Sequence, residues 1–220
     1  MVKPERRLGD LPTSKQAYKE LLNIALPSVL EMVLMSLIGS IDTMMVGRLG
    51  PEAIAAVGLT GQPRMLLLAI FFALNTGVTA IVARRKGEER MEAAQLTLRN
   101  ACVIIILIAG VLMIPSLLAA RPLMFLAGAQ ADTVQDATIY FRILAYVLPV
   151  NALTMAITAA QRGIGNTRIT MVVNIVANLV NVVFNFLLIE GHFGFPRLGV
   201  AGAAIATAIG FCVGFVLSIW

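Results

Sequence analysis

Charge is what this chain lacks most. Only 13% of its 220 residues are Asp, Glu, Lys or Arg, against roughly 25% in an average soluble domain, while 59% are hydrophobic and mean hydropathy is +0.88. A soluble enzyme, a secreted disulfide domain and a disordered tail are excluded. Histidine is nearly absent: His192 stands alone, between two apolar runs, so neither a His-built metal site nor a Ser/His intramembrane protease has its parts. The two cysteines, Cys102 and Cys212, lie inside apolar runs, where they read as packed thiols rather than a disulfide or a metal site. No Gly-x-x-x-x-Gly-Lys-Ser/Thr string occurs, so nucleotide-driven work by this chain is not expected, and no catalytic constellation points to an enzyme.

What the chain has instead is long apolar sequence. Six runs, Leu21–Val46, Ala53–Ala83, Ala93–Leu118, Gln135–Ala160, Ile169–Ile189 and Gly199–Trp220, each reach the roughly 20 residues that a membrane helix needs. The expected fold is therefore all-α and polytopic: a basic tail over residues 1–20, then a six-helix transmembrane lobe over 21–220. The tail and the connections after the second and fourth runs hold eleven Lys and Arg, whereas the opposite connections hold Arg48, Arg121 and Arg197. The positive-inside rule then places both termini in the cytoplasm. The sequence stops at Trp220 within an apolar run, which reads as the first half of a longer, twelve-helix protein.

Ionisable groups at membrane depth are costly and therefore functional by default. Glu31 and Asp42 both lie in the first run, 11 residues apart, which places them on one helical stripe about 16 Å apart along the axis. In the fifth run Asn174, Asn178, Asn181 and Asn185 recur at spacings of four, three and four, so their amides share a stripe about 60° wide. Such a ladder hydrogen-bonds a carboxylate, coordinates a hard cation, or simply joins helices. Asn75 in the second run, Asn151 in the fourth and Thr207 in the sixth add polar atoms. Gly199, Gly202 and Ala206 open the sixth run with small residues that permit close helix contact. Pro27 in the first run, and Gly58, Gly61 and Pro63 in the second, are the expected hinges, since Pro removes a backbone donor and crowds the preceding turn.

Several strings in order along the chain resemble one family. They are Gly39-Ser-Ile-Asp-Thr-Met-Met-Val-Gly-Arg-Leu-Gly50 with Ala53-Ile-Ala-Ala-Val-Gly-Leu59, Val78-Thr-Ala-Ile-Val-Ala-Arg84, Gln161-Arg-Gly-Ile-Gly-Asn-Thr-Arg168 and Gly199-Val-Ala-Gly-Ala-Ala204. This set is similar to the multidrug and toxic compound extrusion (MATE) transporters, whose superfamily also holds lipid-linked oligosaccharide flippases. The resemblance implies an antiporter of two six-helix lobes around a central cavity in a prokaryotic cell membrane. It also implies a proton or cation site at Asp42, Asn181, Asn185 and Thr207, with no bound cofactor and with H⁺ or Na⁺ as coupling ion. Relatives of one branch carry Asp where this chain has Asn185, which leaves a single carboxylate here and the choice of ion open.

The leading expectation is thus a cation-coupled exporter of cationic, lipophilic drugs, with Glu31, Asn174, Asn178, Asn75 and Asn151 as cavity residues and a second lobe, or a second copy, as partner. A flippase of the same superfamily should carry several basic residues at membrane depth, and they are scarce here. A non-transporting module that dimerises through its small-residue faces is the third reading.

Overall fold

The structure, a computed structural model, describes residues 14–219, apart from the side chains of Ala17, Glu20, Asn23, Ile24, Pro27, Ser28 and Glu31. The candidate hinge Pro27 and the candidate acid Glu31 therefore lie outside the described side chains, as do residues 1–13 of the basic tail. Helix α1 runs over Ser14–Gly47, so it begins ahead of the apolar run at Leu21. It is followed by α2 (Pro51–Leu59), α3 (Gly61–Gly87), α4 (Met91–Leu118), α5 (Ala120–Leu126), α6 (Val134–Tyr146), α7 (Leu148–Gly163), α8 (Thr167–Ile189), a single 3₁₀ turn at His192–Gly194, and α9 (Gly199–Ile219). No strand occurs among the described residues.

Four helical stretches are long and apolar enough to cross a membrane: Pro51–Gly87, Met91–Leu118, Thr167–Ile189 and Gly199–Ile219. The fourth apolar run is broken between α6 and α7, which meet at a bend of 52° and are long and apolar enough for one further span when taken together. Tyr146 ends one helix, and Pro149 sits in the first turn of the next, where its missing N–H is harmless. The described apolar part of α1, Met32–Gly47, is shorter than a full crossing. The break expected in the second run falls at Thr60, between α2 and α3. There the Thr60 amide donates to the Val57 carbonyl at 3.2 Å, and Pro63 occupies the first turn of α3.

Apolar side chains do not drive helices together in lipid, so association depends on close fit and on internal hydrogen bonds. Helix α8 lies between α1 and α9, while α7 packs on α3, α4 and α9, and α6 closes against α9. Phe71, Ile105 and Ala109 meet Leu148, Ala152 and Ala156 to form the α3–α4–α7 core. Val46, Ala53, Tyr140, Ile189 and Ala203 join α1, α2, α6, α8 and α9. Most threonine hydroxyls within the described helices turn back on the preceding turn, as Thr154 does to the Val150 carbonyl at 2.9 Å, while Thr170 on α8 faces the Thr158 carbonyl of α7 at 3.5 Å. The Thr79 hydroxyl also faces the Ala159 carbonyl at 3.0 Å, and the Lys86 ammonium reaches the Ile164 carbonyl, together fastening α3 to α7.

The α3–α4 connection is a charge cluster in which Glu88 faces Arg84, Arg85 and Arg90. The hydrogen bond from Arg84 holds the Glu88 carboxyl below its ordinary range. At the other end of the bundle Arg48 pairs with Glu190 at 3.6 Å, tying the α1–α2 turn to the end of α8.

The α8–α9 contact is the tightest in the bundle. A methyl group on Gly202 would stand 2.5 Å from the Leu188 carbonyl oxygen, and one on Gly210 would stand 2.8 Å from the Ala177 oxygen and 3.2 Å from the Asn181 Cβ. Gly210→Ala is therefore expected to force α9 away from α8, costing about 1–3 kcal/mol as an overpacked contact does. Gly110→Ala, at a helical site with open space around it, should hold or raise stability. Denaturation of both variants in micelles checks this, and equal behaviour would contradict the tight contact.

Candidate functional site

Asp42 lies five residues before the end of α1, where the α1–α2 turn begins, and its side chain turns inward toward α8. The two lower rungs of the Asn ladder meet it there. Asn185 Nδ2 donates to Asp42 Oδ1 at 2.8 Å, and both Asn181 and Asn185 are almost wholly enclosed, at 5% and 2% exposure. The 3.6-residue helical repeat places these two amides one turn apart on the same side, so α8 presents two donors to one carboxylate.

Asn181 completes this network. Its Nδ2 donates to the two Asp42 oxygens at 2.9 and 3.0 Å, and its Oδ1 accepts from the Thr207 hydroxyl at 3.0 Å. The network assigns this orientation, because it turns the amide nitrogen to the carboxylate and the amide oxygen to the hydroxyl, and it suits an ionised Asp42. The Thr207 hydroxyl has the Ala203 carbonyl at 3.0 Å as its alternative acceptor.

Asn185 Oδ1 is buried without a hydrogen-bond partner among the described residues. The Asp42 carboxylate and Thr207 Oγ1 border the same two cavities and are oxygens of the kind that suits a hard monovalent or divalent cation. No group of three His, Cys, Asp or Glu side chains forms a metal cluster among the described residues, so the site offers one carboxylate and several neutral oxygens.

Two cavities meet at Asp42. The first, about 170 Å³, lies toward α2 and is lined by Thr43, Ile54, Gly58, Tyr140 and Asn185 along with Asp42. The second, about 320 Å³, lies toward α7 and α9 and is lined by Met35, Arg64, Asn151, Asn174, Asn178 and Phe211, among others. Asp42, Tyr140 and Thr207 border both cavities. The upper rungs of the ladder thus face the second cavity, where Asn178 Nδ2 donates to the Asn174 carbonyl at 2.8 Å and touches Met35 Sδ at 3.1 Å.

The structure does not bring Asn75 into either cavity. It is 6% exposed on α3, and its side-chain oxygen and nitrogen have no partner among the described residues. Of the hinge residues in the second run, Gly58 lines the first cavity, while Gly61 and Pro63 line neither of the two that meet at Asp42. Sequence reasoning left two cavity residues without a role, Arg64 and Tyr140. The signal for Arg64 was its charge in the middle of an apolar run; Tyr140 carried none.

Membrane-length helices gathered around a polar cavity, with a carboxylate held at membrane depth, define a lobe of a polytopic transporter. The chain belongs to the MatE family, whose pattern matches residues 27–187. The uncharacterized transporter YisQ of Bacillus subtilis is 32% identical over 90% of this chain and 44% of its own length. The FAD transporter of Shewanella oneidensis is 30% identical over 90% and 44%, and the probable multidrug resistance protein NorM of Thermotoga maritima 29% over 89% and 42%. Among solved structures, a MOP superfamily transporter from Pyrococcus furiosus superimposes with a TM-score of 0.84 at 26% identity, over 91% of this chain and 43% of the other. An outward-facing multidrug resistance MATE family transporter gives the same score, with 91% and 44% covered. The chain spans less than half the length of these relatives.

If Asp42 and Asn185 support each other directly, their substitutions must be non-additive. A double-mutant cycle of Asp42→Ala and Asn185→Ala is expected to show a coupling of about 1 kcal/mol or more. The cycle of Asp42→Ala with Asn178→Ala should fall near zero. Unfolding in mixed micelles measures both, and equal coupling in the two cycles would contradict the assignment.

Proposed function

We propose that residues 14–219 form the ion-coupling lobe of a secondary active transporter that exchanges H⁺ or Na⁺ for small organic molecules, lipophilic cations among them. On this reading the protein is a transporter rather than an enzyme, and the complete machine needs a second bundle, or a second copy, to rock against this one. The observation that carries it is the Asp42 carboxylate, enclosed by two Asn amides of α8 and opening onto a polar cavity.

The chemistry follows from the charge on Asp42. An ionised Asp42 draws both amide donors toward itself and holds α1 against α8. Protonation, or a cation bound at the carboxylate, removes the need for those donors and weakens the amide contacts that run on through Asn181 to Thr207 on α9. One binding event therefore alters the contacts between three helices, α1, α8 and α9. A cationic substrate in the second cavity gains from the charge on Asp42 and loses that gain when the coupling ion arrives. Differential affinity of this kind is what an exchange cycle requires.

In the intact protein, Asp42→Asn should abolish ion-coupled export from drug-sensitive cells and from proteoliposomes while leaving expression near normal, because Asn keeps the shape and hydrogen bonds but cannot change charge. Undiminished, gradient-dependent export by that variant would overturn the reading.

A further inference from the structure

The charge opposite Asp42 in the second cavity is Arg64. It stands in the first turn of α3, within the Pro51–Gly87 stretch that is long and apolar enough to cross a membrane. Its side chain is half-buried, and its guanidinium lies 5.6 Å from the centroid of the Phe211 ring on α9. Contact with an aromatic ring engages the cation's charge and leaves its N–H donors unused. No carboxylate lies within ion-pair distance of Arg64 among the described residues, and none of them accepts a hydrogen bond from its side chain. Asp42 shares the cavity without bridging to it. A half-buried guanidinium in an apolar helix with open donors is costly unless something completes it.

We propose that Arg64 is an anion-binding subsite of the transport cavity, seated on Phe211, that takes the carboxylate or phosphate of an organic anion or zwitterion. The planar fork of donors matches the two oxygens of such a group, and the amides of Asn151 and Asn178 in the same cavity add neutral polar contacts. Asp42 and Arg64 then divide the cavity by charge. A cationic group gains near the first and an acidic group near the second, so removing the charge of Asp42 strengthens anion binding. This deepens the reading of the second cavity as a substrate site, and rests on it.

The test is equilibrium binding to the intact purified protein of three probes: dansylglycine as the anion, its methyl ester as the neutral control, and tetraphenylphosphonium as the cation. Inorganic phosphate as competitor separates a phosphate preference from a carboxylate one. Arg64→Gln is expected to weaken dansylglycine about tenfold and leave the ester unchanged, Arg64→Lys to restore most of the loss, and Asp42→Asn to tighten dansylglycine while weakening tetraphenylphosphonium. Phe211→Leu, which keeps the cavity but removes the ring, should weaken the anion a few-fold. Equal loss of anion and ester in Arg64→Gln would make Arg64 a structural strut and overturn the proposal. Asp42-dependent tetraphenylphosphonium binding together with Arg64-independent dansylglycine binding would overturn the subsite and leave the cavity reading intact. Failure of all three probes to bind would overturn both.

Discussion

A carboxylate at membrane depth must have its hydrogen-bond partners inside the protein, since no water in the hydrocarbon supplies them. Everything around Asp42 follows from that requirement. The donors come from α8, at positions one turn apart, and the Asn185 contact at 2.8 Å fixes where α1 sits along α8. Val46 and Ala203 line the first cavity beside the pair, so the carboxylate's other protein partners are polar atoms of the site itself. A single ionisable group thereby sets the relative placement of three helices.

The same requirement explains why the packing beside the site uses residues without side chains. Asn181 is within reach of Thr207 only because α9 approaches α8 at Gly202, Gly210 and Gly214, and Gly210 lies directly against the Cβ of Asn181. Small residues there serve the network as much as the fold: a wider spacing between the helices would leave the Asn181 amide oxygen without Thr207 as its partner. Packing and chemistry are coupled at one helix pair, so a change in the carboxylate's state is felt as a change in helix contact.

The helical class and the principal site were legible in the sequence because both rest on periodicity. Hydropathy marked α3, α4, α8 and α9, and the four-three-four spacing placed Asn181 and Asn185 on the face that meets Asp42. The same spacing could not tell that the ladder divides, with Asn185 on the carboxylate and the first cavity, Asn181 on the carboxylate and the second, and Asn174 and Asn178 facing the second alone. The bend between α6 and α7 was marked in the sequence only by Pro149, since the run is apolar on both sides of it, and α5 lay within what read as a connection. Asn75 shared the depth of the site residues but not their face. Arg64 was visible as a charge in an apolar run, yet its seat on Phe211 is a contact between α3 and α9 that no local pattern encodes.

The central claim is that Asp42 changes its protonation or cation occupancy within the folded lobe and that its hydrogen bond with Asn181 changes in step. Infrared difference spectroscopy of the folded protein with isotopically labelled Asp and Asn, titrated with pH and with Na⁺, reads both groups at once. The account predicts a carboxyl band that titrates or responds to Na⁺, disappears in Asp42→Asn, and moves in step with a side-chain amide band that is lost in Asn181→Leu. A carboxylate that stays ionised and indifferent to Na⁺ at every pH where the protein remains folded would contradict it.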